Sequence, residues 1–316
     1  MKISTTLPTF LFATFLFCWA WAGLFYLLGV EYSGGAIYLI GPVFMLIPAI
    51  VAIIIDKRSG QKVRESLWLK FRLNRWWFVA WLLTPALAFA ALFAALLIPE
   101  VSFDADMSGF LSQLEGLISE EEMIEAQEQL ARFPVGFFIA LQLGMGLLAG
   151  VTINAIFGLG EEIGWRGLML RELAHTGFWK SAAIIGAVWG IWHAPLILQG
   201  HNYPEAPVLG VAMMTLWCIL LSPMFSLVTL KAKSVIAAGI MHGTLNATAA
   251  FSIVYLSEFI PFVTGIQGLV GMAVLVLVNL TIFFVFRPTL TAEDWDTSEG
   301  TAQMARAYSG GEESPE

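Results

Sequence analysis

The sequence predicts an all-α fold, a polytopic membrane helical bundle of about eight transmembrane helices. Three observations predict it: the composition, the length of the apolar runs, and the sorting of the charges. Of 316 residues, 58% are hydrophobic and 13% charged, with a mean hydropathy of +0.77. Soluble domains carry roughly a quarter charged residues, so this composition excludes an ordinary soluble protein. Apolar runs long enough to cross the hydrocarbon core fall at roughly 8–29, 36–55, 77–98, 135–158, 181–199, 208–230, 235–256 and 262–286. Threaded through those spans, fifteen of the sixteen basic residues lie on one side, and Arg132 alone lies opposite. The positive-inside rule then puts both termini in the cytoplasm. The chain is expected to be a multi-pass protein of a prokaryotic cell membrane.

The elements follow in order. The first span contains Ala20-Trp21-Ala22, which resembles a signal-peptide cleavage site, but its apolar run continues to Val30 and reads as a retained helix. A basic cytoplasmic loop follows at 56–76, and an acidic extracytoplasmic loop occupies 99–134. In that second loop Phe110, Leu114, Leu117 and Ile118 have helical spacing, and Ser119 with Glu122 forms a capping box for a further short helix. It reads as a solvated amphipathic cap on the membrane surface. Residues 1–134 thus form an N-terminal unit and 135–287 a membrane core. Residues 288–316, rich in Asp, Glu, Ser and Gly, form an acidic cytoplasmic tail expected to be disordered. Gly146 and Gly150 make a GxxxG, the mark of close helix packing. Cys18 and Cys218 sit inside apolar runs as ordinary core or lipid-facing residues, with no disulfide or thiolate-metal pattern. No internal repeat is visible.

With the loops set aside, the polar residues of the spans are few: Glu161, Glu162 and Arg166 in "GLGEEIGWRGLML", His193 in "VWGIWHAPL", and His242 and Asn246. His175 and His201 fall in loops, where a solvated histidine needs no explanation. Glu162 and Arg166 are four apart and can form an ion pair on one helix face. Glu161 is rotated about 100° from Glu162, free to face something else. His242 and Asn246 are again four apart, and His193 precedes Pro195, where a kink is expected. Singly, each reads as a buried ion pair or an interhelical hydrogen bond. Gathered on three helices at comparable depth, they outline a shared site. Glu161, His193 and His242 could hold a catalytic zinc with one position open to water. Without metal, a desolvated Glu161 can act as the general base, with a histidine holding the water and Asn246 and the other histidine stabilising an oxyanion. Both schemes lead to water attacking an amide. No HExxH helix is present, which sets the chain apart from the soluble zinc proteases.

The order Glu161-Glu162-x3-Arg166, aromatic-x3-His from Trp189 to His193, and His242-x3-Asn246 on successive membrane helices resembles the CPBP family. That family comprises the CAAX endopeptidases and bacteriocin-processing proteins, also called Abi. The resemblance covers about residues 135–256, with Trp189 standing where phenylalanine is usual, an aromatic exchange read as a packing position. It implies an intramembrane endopeptidase whose helices enclose a polar cavity open to the cytoplasm, with 135–287 as its catalytic core. Glu161 would activate the water, Glu162 and Arg166 would support it, His193 and His242 would bind the water or a metal, and Asn246 would help hold the oxyanion. The implied substrate is a membrane-associated protein or peptide, lipid-modified or not, reached from the bilayer, and no nucleic-acid partner is expected. Two other classes stand behind it: a non-proteolytic membrane scaffold, and an ion-coupled transporter, which the lack of paired repeats disfavours.

Overall fold

The computed structural model describes residues 5–30, 32, 34–112 and 119–295. Among them the chain is all-helical, and the one sign of extended pairing is an isolated bridge between Phe103 and Leu256. Apolar segments without water must satisfy their backbone internally, and helices do so residue by residue. The main helices are α1 (Thr6–Leu27), α2 (Ile37–Arg58), α3 (Arg75–Ala95), α4 (Glu120–Ala131), α5 (Val135–Val151), α6 (Ile153–Glu162), α7 (Phe178–Trp192), α8 (Pro207–Ala232), α9 (Val235–Thr248) and α10 (Leu269–Thr281). The capping box at the head of α4 forms with both reciprocal bonds between Ser119 and Glu122. Of the preceding stretch of helical spacing, Leu114, Leu117 and Ile118 lie outside the described residues.

Five helical stretches are long and apolar enough to cross a membrane: Thr6–Leu27, Gly34–Arg58, Arg75–Ala95, Pro207–Ala232 and Leu269–Phe286. The pair Glu121–Ala131 and Val135–Val151, bent by 105°, makes a sixth if taken as one span. The chain is an integral membrane protein. The expected spans at 135–158, 181–199 and 235–256 are instead built from shorter pieces. α5 stops after 17 residues at Thr152, whose hydroxyl donates back to the Leu148 carbonyl at 2.7 Å while its backbone leaves the helical region. α7 has 15 residues and ends at His193, where a short turn, Ala194–Ile197, begins with Pro195 in its first positions. α9 has 14 residues. The segments that carry the polar residues are therefore the short and interrupted ones.

Contacts tie the loops into two ends. At one, Arg171 makes a bidentate pair with Asp56 at 2.7 and 2.8 Å, Asn74 donates to the carbonyls of Lys231 and Ala232, and the Val235 amide donates to Trp68. This end collects the basic loops. At the other, Ser102 bonds Ser257 at 3.0 Å, the Tyr203 hydroxyl donates to the Gln267 carbonyl, and Tyr32 packs edge-on against His201. The tail expected to be disordered from Pro288 is ordered at its start. Trp295 stacks on Trp68 with ring centroids 4.0 Å apart and donates its indole N–H to the Ser66 carbonyl. That stacking covers apolar surface and satisfies a buried donor, which the composition of the tail did not reveal. Residues 296–316 lie outside the described residues.

Candidate active site

Close backbone approach brings the polar residues together. A Cβ added at Gly158 would lie 2.7 Å from the Gly239 carbonyl oxygen and 2.8 Å from the His242 Cβ, so α6 and α9 touch where side chains are missing. Gly146 and Gly150, the small-residue pair of α5, face Thr248 and Thr244 of α9. Beyond Glu162 the helix widens into a π-helical segment, Ile163–Met169. Such segments are rare and gather at functional sites.

Glu162 and Arg166 form the expected ion pair, 3.0 Å between Oε2 and a guanidinium nitrogen, with both side chains fully buried. The guanidinium also lies over the rings of Trp189 and Phe225, 4.7 and 4.8 Å from their centroids. Glu161 is turned away from Arg166, as its rotation on the helix predicts. Its Oε2 accepts the indole N–H of Trp189 at 2.6 Å and that of Trp165 at 3.4 Å. Its other oxygen, Oε1, lies 3.7 Å from His242 Nε2, beyond hydrogen-bond distance. His242 is not independent of the supporting pair, because its Nδ1 lies 2.8 Å from Glu162 Oε1. With Nδ1 on Glu162, the other ring nitrogen of His242, Nε2, is turned toward Glu161. His193 is set the same way: Nδ1 donates to the Trp189 carbonyl at 2.8 Å, which leaves the lone pair on Nε2.

Glu161, His193, His242 and Asn246 line one cavity of about 290 Å³. Asn246 is exposed in it and makes no hydrogen bond to the described residues. Glu162 and Arg166 lie outside the lining and touch the cavity through His242 and Trp189. Tyr32, His201, Asn202 and Gln267, all from loops, also line it. At the basic end, Asp56, Arg171 and Trp295 line a separate pocket of about 400 Å³.

Three side chains escaped the sequence reading. His201 is half-buried against Tyr32 rather than solvated, and burial in the loop holds its pKa down to about 4. Trp165 stands four residues after Glu161, so the spacing used for Glu162 and Arg166 could have found it. Trp189 is more than a packing residue, since its N–H bonds the carboxylate, which a phenylalanine cannot do. The proposed metal set fares differently. Among the described residues no three His, Cys, Asp or Glu side chains converge closely enough to hold an ion. Glu161 is already bound through Oε2 by two indoles, so the residues as arranged do not fit a metal cage.

Residues 142–248 match the sequence model of a family described as Type II CAAX prenyl endopeptidase Rce1-like. The match agrees with the CPBP resemblance carried by the motifs and includes all six residues above, although it spans only about a third of the chain. The family points to a peptidase working within the membrane. No curated protein matches the chain.

Proposed function

We propose that the chain is an intramembrane endopeptidase that cuts peptide bonds in membrane-associated proteins or peptides with a glutamate-activated water. The observation that carries this reading is the facing of Glu161 Oε1 and His242 Nε2, 3.7 Å apart in a shared cavity. One water seated beside both atoms can hydrogen-bond to each. Glu161, desolvated on every side, takes the proton as that water attacks the scissile carbonyl carbon. The resulting tetrahedral oxyanion is met by the free Asn246 carboxamide. Glu161 then returns its proton to the departing amine, which completes hydrolysis with all protons accounted for. The indoles of Trp189 and Trp165 fix the carboxylate so that Oε1 alone is presented. Glu162 and Arg166 act by positioning: Glu162 holds the His242 ring through Nδ1, and Arg166 holds Glu162. His193, its ring fixed by Trp189, offers Nε2 to the water or the substrate amide. No step in this sequence passes through a metal.

In this reading residues 135–287 are the catalytic core. The short helices complete about eight passes, and both termini lie with the basic loops in the cytoplasm. The test compares protein and peptide termini in cells producing the wild type or Glu161→Gln. Termini that disappear with the substitution support the reading and name the substrate. Unchanged termini alongside a phenotype that survives the substitution would favour a scaffold instead.

A further inference from the structure

The segment that carries Glu161 meets its neighbours through glycines. A Cβ added at Gly160 would lie 2.7 Å from the Met45 carbonyl oxygen, and one at Gly164 would lie 2.8 Å from the Pro48 Cβ. With Arg171 on Asp56, these contacts show α2 running alongside residues 160–171 in the same direction. On the other flank, Gly158 and Gly243 bring α6 against α9. Helices are held in register by side-chain ridges seated in grooves, and a glycine face offers few ridges to stop sliding or turning. Register must then be set where groups interlock, and two such pins are present. One is the fork of Arg171 on the buried Asp56 carboxylate, at 2.7 and 2.8 Å, a bidentate pair that fixes direction as well as distance. The other is the Val235 amide at the head of α9, which donates to the Trp68 carbonyl at 3.2 Å.

Both pins run through residues 66–68. The Ser66 hydroxyl donates to the same Asp56 carboxylate, and its carbonyl accepts from Arg171 at 3.4 Å and from the Trp295 indole at 3.0 Å. Leu67 is fully buried and packs on Gly167 inside the π-helical segment, 3.4 Å from where a Cβ would stand. Trp68 has φ 48°, a left-handed backbone that so bulky a residue keeps only when its surroundings enforce it. Here they are the Val235 bond and the stack with Trp295.

We infer that residues 66–68 form a brace that positions the Glu161 helix against the His242 helix, with Asp56, Arg171 and Trp295 as its positioning residues. This rests on the peptidase reading and adds a means of controlling its site. The brace grips the continuation of α6 and the head of α9 together, and so sets the 3.7 Å between Glu161 Oε1 and His242 Nε2. None of Asp56, Ser66, Arg171 and Trp295 lines the cavity, so they act on it through helix placement alone. Withdrawing Trp295 removes a hydrogen bond and a ring contact from the brace at one stroke, which makes the start of the tail a point of control.

Two readouts on the full chain test this. Hydrogen exchange is followed by mass spectrometry in detergent-purified wild type, Trp295→Ala and Arg171→Met. Amides of residues 163–171 and 235–240 should exchange at least about tenfold faster in both variants, with α10 unchanged. Wild-type exchange of those residues in Trp295→Ala would overturn the brace. Cleavage is then followed on a quenched peptide built on a terminus that cells lose with Glu161→Gln. A displacement of the general base by a fraction of an ångström should lower kcat by roughly 10–100-fold at unchanged KM. Arg171→Lys, which keeps the charge without the fork, and Trp295→Phe, which keeps a ring without the N–H, should fall in between. Faster exchange with wild-type kcat, or a raised KM at unchanged kcat, would overturn the hold of the brace on the site. Should Arg171→Met fail to accumulate, Trp295→Ala decides by the same criteria. If Glu161→Gln removes no termini, the peptidase reading falls, and the exchange result alone decides whether the brace stands.

Discussion

Replacing Arg166 with alanine strips a buried guanidinium from an ion pair and from two ring faces at once. Its nitrogen lies 3.0 Å from Glu162 Oε2, and its carbon lies 4.7 and 4.8 Å from the Trp189 and Phe225 centroids. Removing one partner of a buried pair costs about 3–5 kcal/mol, because the other charge is left without compensation. The two ring contacts add about 0.5–2 kcal/mol each. The His242 Nδ1–H still meets Glu162 at 2.8 Å and returns part of that loss. A net loss of about 4–6 kcal/mol remains, a large share of a typical margin of about 5–15 kcal/mol. The double variant Glu162→Gln/Arg166→Met removes both charges and nearly conserves volume. Neutral replacement of a buried pair is often close to neutral, so it should lose only about 1–2 kcal/mol. The double variant is thus expected to be more stable than the single one by about 3 kcal/mol. Thermal unfolding of the detergent-purified proteins, with their abundance in membranes, measures it. Equal melting of the single and double variants, or wild-type melting of Arg166→Ala, would refute the reasoning.

Other perturbations separate chemistry from support. Glu161→Gln keeps an oxygen for the Trp189 N–H and should melt near the wild type, while hydrolysis falls by about 10²–10⁴-fold with the general base removed. Trp189→Phe keeps a ring over Arg166 but loses the 2.6 Å bond to Glu161. A hydrogen bond to a charged group is worth about 1.5–3 kcal/mol, so kcat should fall at least about tenfold at unchanged KM, and an unchanged kcat would show the indole to be packing alone. Hydrolysis should survive dialysis against a zinc chelator; activity lost to the chelator and restored by zinc would bring the metal scheme back. Gly158→Ala forces a Cβ against the Gly239 carbonyl and His242, an overpacking of about 1–3 kcal/mol that should lower activity together with melting temperature. In the loop after α3, partial burial pushes the Asp104 carboxyl up, but hydrogen bonds from Gly109, Ser108 and Asp106 outweigh it and hold the pKa below the usual carboxylate value. A folded value below the unfolded one gives stability that is present above the unfolded pKa, about 3.9, and lost as pH falls through the folded value. Hydrogen exchange of residues 104–109 should therefore quicken in wild type as pH drops below 4, after correction for intrinsic rates, with no such step in Asp104→Asn.

The membrane class of the chain follows from composition alone, because no soluble fold can bury so apolar a chain. The side-chain pairs that lie within one helical turn were equally legible. Glu162 with Arg166 and the Ser119–Glu122 cap need nothing beyond residue spacing and helix geometry, and the glycines of α5 announce close packing by their lack of a Cβ. Hydropathy could not show that α5, α7 and α9 are short or interrupted, since apolar length reports burial rather than backbone continuity. The placing of His242 beside two carboxylates and the Trp189 indole on Glu161 join residues 28 to 81 positions apart. Such contacts depend on where α6, α7 and α9 cross. The cavity itself was likewise outside the reach of sequence. Charge counts label the two ends of the bundle, but only the crossing of α6, α7 and α9 makes Glu161, His193, His242 and Asn246 line one space.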